Sequence, residues 1–549
     1  MKSKKNLLGM FILFLTPFQV LAKPDLNHLI KEQQNNDRTS RSENRIDKKD
    51  VYSSVEAKKL DKLDVPAEKN CFEIKKIVLE NDFLNNAAIK KLKQEMSGRC
   101  LGGMGIEKFA VALQDYFISS GFMTTRVEIP QQNLTTHQLL LKIVPGRIEN
   151  IIIEDNDVHH AILPFSSGDI LNIRDIEQGL ENLQGVPGVN VKFSIEPGSR
   201  DGYSNVVIAT NRLERWNVRA FYNNWGDKST GQQLTGGAGY LYNLAKLNDI
   251  FYVSGKRSST GGYKSIGTYY SFPFGYWDYE LFYSKSASRQ GIDIDSMNLN
   301  YRGESEYWSL KTSRTLYRDQ NKKITGTAEL IRRRSNYKLE DIDLVLQKRN
   351  MDNVRLGLNY KQNFSGAQLD GTLIYQRFLS WFGGTPTPGM KSGEVSPLAQ
   401  VINLELNYLQ LLKNLPVKAY YNVKFGTQYA PESLTLQDQI TLGDRWNVRG
   451  FEKSSGLYGD NGYYIQNTLN FITGVGDSEL YLGADYGQVS NCISSQDNYD
   501  SKRIMGATAG VKGSINSLGY DVSLTSPILY PDNLDTDKFN INFQFYYQL

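Results

Sequence analysis

The chain has 549 residues with 63 Lys or Arg and 59 Asp or Glu, a formal charge of +4 that falls to +1 if Lys2, Lys4 and Lys5 leave with a cleaved leader. So balanced a chain has no whole-molecule pull toward nucleic acid. Mean hydropathy is −0.44, and past residue 22 no apolar run reaches the roughly 20 residues of a spanning helix. That leaves an exported soluble protein or a β-barrel, the other architecture that satisfies its backbone in lipid.

Residues 1–22, "MKSKKNLLGMFILFLTPFQVLA", read as a secretory signal peptide: basic start, short apolar run, small residue at the cleavage position. Residues 23–38 then read as a short polar helix. Its apolar side chains are only Leu26, Leu29 and Ile30, which suits a wet surrounding rather than a core. Residues 39–70 are polar and charged, and read as linker.

From residue 71 the texture changes. "FEIKKIVLE", "AAIKKLKQEM", "GIEKFAVALQDYFISSG", "FMTTRVEI" and "QLLLKIV" predict a β-α-α-β-β domain over 71–146. Ile106, Phe109, Leu113 and Phe117 share one helical face, and Gly121 is the expected cap. Cys71 and Cys100 bracket the front of this domain. A bridge there would stabilise it by roughly 3–4 kcal/mol in the chain-entropy view. The unit recurs over 147–211, with a helix capped by Asn172 and strands expected at 188–196 and 203–210, both candidate sheet edges. Cys492 is left without an evident partner.

Residues 212–549 are alternating ten-residue stretches rich in Tyr and Phe, divided by Gly, Asn, Asp and Ser. In "VRLGLNYKQNF" one face is Val-Leu-Leu-Tyr-Gln-Phe and the other Arg-Gly-Asn-Lys-Asn. That apolar-out, polar-in dyad predicts an antiparallel transmembrane β-barrel. Seventeen strand signals reduce to an even 16 if "IDSMNLNYRG" is an extracellular loop. The last strand, "KFNINFQFYYQL", turns Phe539, Ile541, Phe543, Phe545, Tyr547 and Leu549 to lipid and closes against "WNVRAFYNN". Residues 429–460 form a long loop holding "ITLGDRWNVRGF".

Catalysis and cofactors find little support. The four histidines are His28, His137, His159 and His160, none of them in the barrel region. His159-His160 in a turn has no third ligand, so no metal is expected. The glycine-rich "GGAGYLYN" and "STGGYKS" do not open a helix after a strand, as a phosphate cradle must.

Together these motifs resemble the two-partner-secretion outer-membrane transporters, the haemolysin and contact-dependent-inhibition branch of the POTRA–barrel superfamily. "VRGF" (Val448, Arg449, Gly450, Phe451) is similar to that superfamily's lid-loop motif, and "LGADYGQV" to its barrel-wall motif at Asp485 and Gly487. "CFEIKKIVLE", "CLGGMGI", "GFMTTRV" and "VPGRI" resemble the first POTRA domain of those exporters. The resemblance implies a plug helix at 23–38 lying in the pore. It also implies two POTRA domains in the periplasm that bind the amino-terminal domain of one large secreted partner, and export without enzyme, cofactor or nucleotide by a monomer. A lid pinned through a bidentate Arg449–Asp485 pair fits the same pattern. The rival expectations are a barrel-assembly factor of the same superfamily and a passive porin. Two repeats and a candidate plug speak against the first, and periplasmic client-binding repeats against the second.

Overall fold

The computed structural model describes residues 63–154, 157–294, 297–381, 383–393, 395–452, 456–491, 502–532 and 534–549, with Asn44, Ile46, Lys48 and 50–52 of the linker. The expected signal peptide, the plug helix with Leu26, Leu29 and Ile30, and Cys492 lie outside the described residues.

In the first repeat, strand Gln138–Val144 runs between Lys76–Glu80, parallel to it, and Arg126–Glu128, antiparallel. Helices Ala87–Met96 and Gly103–Ser119 cover this sheet. The periodic residues Ile106, Phe109, Leu113 and Phe117 are buried with Leu139, Leu141 and Ile143. Asn86 starts the first helix by accepting a hydrogen bond from the Ile89 amide at 3.1 Å. A separate ribbon, Phe72–Ile74 with Arg99–Leu101, is stapled by the Cys71–Cys100 disulfide, with Cα atoms 5.3 Å apart.

The second repeat keeps the pattern in shortened form. A single 3-10 turn, His160–Ile162, stands where the first repeat has its first helix, and His159 caps that turn. The sheet order is Arg147–Ile153, Tyr203–Arg212, Val189–Pro197. This corrects one expectation. Residues 203–210 are the central strand, hydrogen-bonded on both sides, because the returning strand runs parallel to the first and fills the middle. Val189–Pro197 remains an edge.

Sixteen antiparallel strands close the barrel, from Trp216–Asn223 to Asn540–Gln548; the last pairs with the first from Gln544↔Asn223 to Gln548↔Arg219. The dyad holds along the strands. Leu356 and Leu358 are exposed on the outer face, while Arg355 reaches Gln376 at 2.6 Å and Asn359 reaches Asp370 at 2.7 Å inside. On the last strand Ile541, Phe545 and Tyr547 are exposed outward, and Asn540, Asn542 and Gln544 are buried inward. The segment "IDSMNLNYRG" is not an open loop. It belongs to the hairpin formed by Trp277–Ile294 and the 22-residue strand Met297–Arg318, paired up to Ile294↔Met297. It is no separate strand either, which is why the even count stands. The two-residue strand Ile342–Asp343 only extends the next hairpin.

The second repeat docks on the barrel through a polar interface. Its helix Ile173–Gln184 turns Ile173, Ile176, Leu180 and Leu183 to its own core, yet Arg174, Glu177, Gln178, Glu181 and Asn182 are buried as well. Arg318, beside a barrel turn, reaches Glu181 at 3.0 Å and Gln178 at 3.0 Å, and Asn182 donates to the Gly275 carbonyl at 2.7 Å. Charges this deep persist only when paired and hydrogen-bonded.

On the outer wall, Ile541→Arg should cost about 2–4 kcal/mol of barrel stability if the site lies near the bilayer midplane, and Ile541→Leu next to nothing. Urea titration followed by heat-dependent gel mobility measures both; equal midpoints would place Ile541 away from lipid.

Candidate functional site

The long loop between strands Ala419–Tyr429 and Asn461–Ile472 folds back into the barrel. Within it, Ile440–Leu442 pairs with Leu457–Gly459 as a short hairpin. The turn at its tip is organised by two short polar side chains. Asp444 accepts from the amides of Trp446 and Asn447. Asn447 accepts from those of Gly443, Asp444 and Val448, and donates to the Thr441 carbonyl at 3.0 Å. Local bonds of this kind give the loop a fixed shape without a sheet to lean on.

That shape presents Arg449 to the wall. Its Nε lies 2.6 Å from Asp485 Oδ2 and its Nη2 2.7 Å from Oδ1, while its own amide also bonds Oδ2 at 3.0 Å. Nη2 further donates to the Asn467 carbonyl and Thr468 Oγ1. The Asp485 side chain has no exposed surface and that of Arg449 is 11% exposed. A charge so desolvated is tolerable because the fork of the guanidinium matches both carboxylate oxygens.

The flanking motif residues are equally placed. Val448 and Phe451 are buried with Leu442 and Leu457 of the loop and Tyr464, Val489 and Ile504 of the wall, a small apolar core that loop and wall share. Gly450 adopts φ +113°, and its carbonyl accepts from Asn540 at 3.0 Å. Gly487 leaves room for Leu442 and Val448, which would stand 2.7 and 2.9 Å from an added Cβ. Sequence reasoning missed two further wall glycines. A Cβ on Gly483 would strike the Arg449 guanidinium, and one on Gly506 the Arg449 carbonyl. Nothing in an alternating strand distinguishes such glycines from lumen filler until the loop is seen against them.

A second anchor was also missed. Asp438, early in the loop, pairs with Arg349, and Arg333 Nη1 lies 3.6 Å away. Gln437 accepts from Arg349 Nη1 at 2.6 Å. Arg349 and Arg333 belong to strands Arg349–Phe364 and Lys322–Leu339, the eighth and seventh of the barrel, whereas Asp485 lies on the thirteenth, Glu479–Ser490. The loop therefore crosses the interior and is held at two separate stretches of wall. Burial alone would raise the Asp438 carboxyl, but Arg349 and Arg333 hold it below the ordinary aspartate range. At the outer end Arg445 lies 3.6 Å over the Trp225 ring, and Trp225 meets Trp446 edge-on.

At the opposite mouth the linker is tied both to the barrel and to the second repeat. Asp50 lies 2.9 Å from Lys323 and 2.7 Å from Lys361 on the barrel wall, and Lys323 also pairs with Glu181 of the docked helix. Glu181 accepts from the Val51 amide at 2.9 Å, and Arg318 donates to the Val51 carbonyl. Burial pushes the Asp50 carboxyl up, and the two lysines more than reverse this. Among the described residues no group of His, Cys, Asp and Glu has a metal-holding arrangement.

Comparison with known proteins fits this architecture. A family profile described as haemolysin secretion/activation protein ShlB/FhaC/HecB matches residues 202–513; a ShlB-type POTRA domain matches 72–146, and a second POTRA domain 147–197. The outer membrane transporter CdiB-2 of Burkholderia pseudomallei (strain 1026b) is 30% identical over 467 residues, covering 82% of this chain and 78% of the relative. The hemolysin transporter protein ShlB of Serratia marcescens is 25% identical over 455 residues, covering 81% and 80%. The solved structure of CdiB from Escherichia coli has a TM-score of 0.84 at 24% identity, covering 96% of this chain and 100% of that one, and so shares the fold. With two POTRA domains ahead of a closed 16-stranded barrel, the chain belongs to the ShlB/FhaC/HecB family of outer-membrane two-partner-secretion transporters.

Proposed function

We propose that this chain exports one large partner protein, of the haemolysin, adhesin or contact-dependent-inhibition toxin kind, from periplasm to cell surface as a monomer and without nucleotide. The observation that carries the reading is a loop that crosses the lumen and is fastened to its wall by buried ion pairs. A passive porin has no need of the two POTRA domains that stand ahead of this barrel. Relatives named as transporters of haemolysin, and others named CdiB, support the kind of partner.

In this reading the partner is first recognised in the periplasm. The Val189–Pro197 edge offers unpaired backbone groups to which an extended client segment adds as a further strand. Val191, Phe193 and Ile195 face the domain core, so Asn190, Lys192 and Ser194 are the side chains left on the outer face. Passage then requires the plug helix 23–38 to leave and the lid to release Asp485. Folding of the client outside draws it through. The primary test compares culture supernatant and cell surface of a deletion strain with its parent. Loss of one very large protein with other barrels unchanged supports export; a general decline of outer-membrane barrels would instead mean an assembly factor.

Arg449→Ala leaves Asp485 buried without its partner, a change worth about 3–5 kcal/mol against the lid's docked position. Asp485→Arg should impair secretion, and adding Arg449→Asp should restore part of it; a double variant no better than the singles would remove support for the lock. Asp438 gives a pH signature. Its carboxyl is lowered from 3.8 in the folded state, so its contribution is fully present above that value and is lost as pH falls through the depressed folded value. Single-channel conductance should be level from about pH 8 to about pH 5 and rise only below about pH 4. Asp438→Asn should raise conductance already at neutral pH and abolish the acid-dependent step; an unchanged acid step in that variant would assign it to another group.

A further inference from the structure

Outside the lumen, the outward-facing positions of five neighbouring strands carry a cationic surface that export does not use. These strands are the third to seventh: Ile250–Ser258, Tyr263–Phe274, Trp277–Ile294, Met297–Arg318 and Lys322–Leu339. Along the fifth, the outer face runs Trp277, Tyr279, Leu281, Tyr283 and then turns polar at Lys285 and Arg289. Tyr283 meets Trp308 of the sixth at 4.2 Å between ring centroids. Paired aromatics at the end of an apolar run mark the lipid–water boundary.

Above that boundary, cations stand side by side. Arg289 is directly opposite Arg302, and Arg302 is directly opposite Lys338 on the next strand. Arg257 is directly opposite Lys264. Like charges in register, with Cβ atoms about 5 Å apart, destabilise a sheet unless an anion lies between them. The surrounding acids do not supply enough of them. Lys338 has Asp343 at 3.4 Å and Lys285 has Glu306 at 3.3 Å, and Glu304 shares the face. Arg257, Lys264 and Arg302 have no ion-pair partner among the described residues; Arg334 stands directly opposite Glu306, already paired with Lys285, and shares Asp352 with Arg332.

The height of this surface selects among anionic lipids. From Tyr283 to Arg289 the strand rises about 20 Å along its own axis, or about 15 Å above the boundary after strand tilt. A glycerophospholipid presents its phosphate at one level only. A phosphorylated saccharide headgroup presents anions over several. We propose that this face holds the phosphorylated glycolipid of the outer leaflet, with Arg334 and Lys285 at the acyl boundary and Arg257, Lys264, Arg302 and Lys338 on the anionic sugars above. Arginine and lysine in one row suit phosphate, which accepts forked and single donors alike.

The test uses the full-length transporter purified in detergent, with native mass spectrometry of bound lipid after incubation with deep-rough lipopolysaccharide, its dephosphorylated form or phosphatidylglycerol. The wild type should retain the phosphorylated glycolipid in preference to both others. Arg302→Gln/Arg334→Gln/Lys338→Gln should weaken retention about ten-fold or more, and Lys413→Gln/Lys418→Gln, in an exposed turn at the opposite end, should leave it unchanged. Equal retention of the dephosphorylated form or of phosphatidylglycerol by the wild type overturns the proposal, and that comparison does not depend on any variant folding. Equal loss in the two variants, or none in the triple variant, overturns it as well.

Discussion

A backbone in lipid must satisfy every amide and carbonyl internally, and the rest of this molecule follows from that constraint. It forces the sheet to close on itself, and closure divides the side chains into a lipid-facing and an inward-facing set with a period of two. Once the inner set is polar, the interior of a 16-stranded barrel is wide and wet. The wall supplies only small apolar patches, such as the one at Val489 and Ile504, and these do not fill it. Whatever occupies that interior has to be fastened by directed interactions rather than by general hydrophobic packing.

The buried charges fall where that requirement bites. Arg449 with Asp485, and Asp438 with Arg349, hold a loop that has only a small apolar core of its own. At the periplasmic mouth the same device joins three pieces of chain, with Glu181 shared between Arg318, Lys323 and the Val51 amide. Ion pairs of this kind add little net stability over apolar packing, but they are intolerant of misplacement. They define where a loop, a linker and a domain sit relative to the barrel wall.

Much of this was legible in the sequence because period and punctuation are local. The alternation in "KFNINFQFYYQL" and "VRLGLNYKQNF" fixed the faces of those strands, and helical spacing placed Phe109 and Leu113 in the first small core. What escaped was relational. The strand order that puts Tyr203–Arg212 in the middle of its sheet depends on a parallel return that no local pattern encodes. The helix Ile173–Gln184 looks amphipathic with a solvated polar face, and only its docking partner turns Glu177 and Glu181 into buried groups. Arg449 and Asp485 were found through a motif resemblance. Arg349 and Asp438, chemically the same arrangement, had no motif to bring them forward.

The two anchors of the lumen-crossing loop also have a mechanical meaning. A strip of chain fixed to both sides of an opening is a bridge, and a load at its middle is divided between the abutments. Release of one abutment leaves the loop held at the other and by its two covalent ends, in strands Ala419–Tyr429 and Asn461–Ile472, so that one span comes free while the other stays fixed. Under the export proposed above, a polypeptide pressing from below would meet a resistance that falls in two steps, and the width of the passage would be set by which anchor let go first.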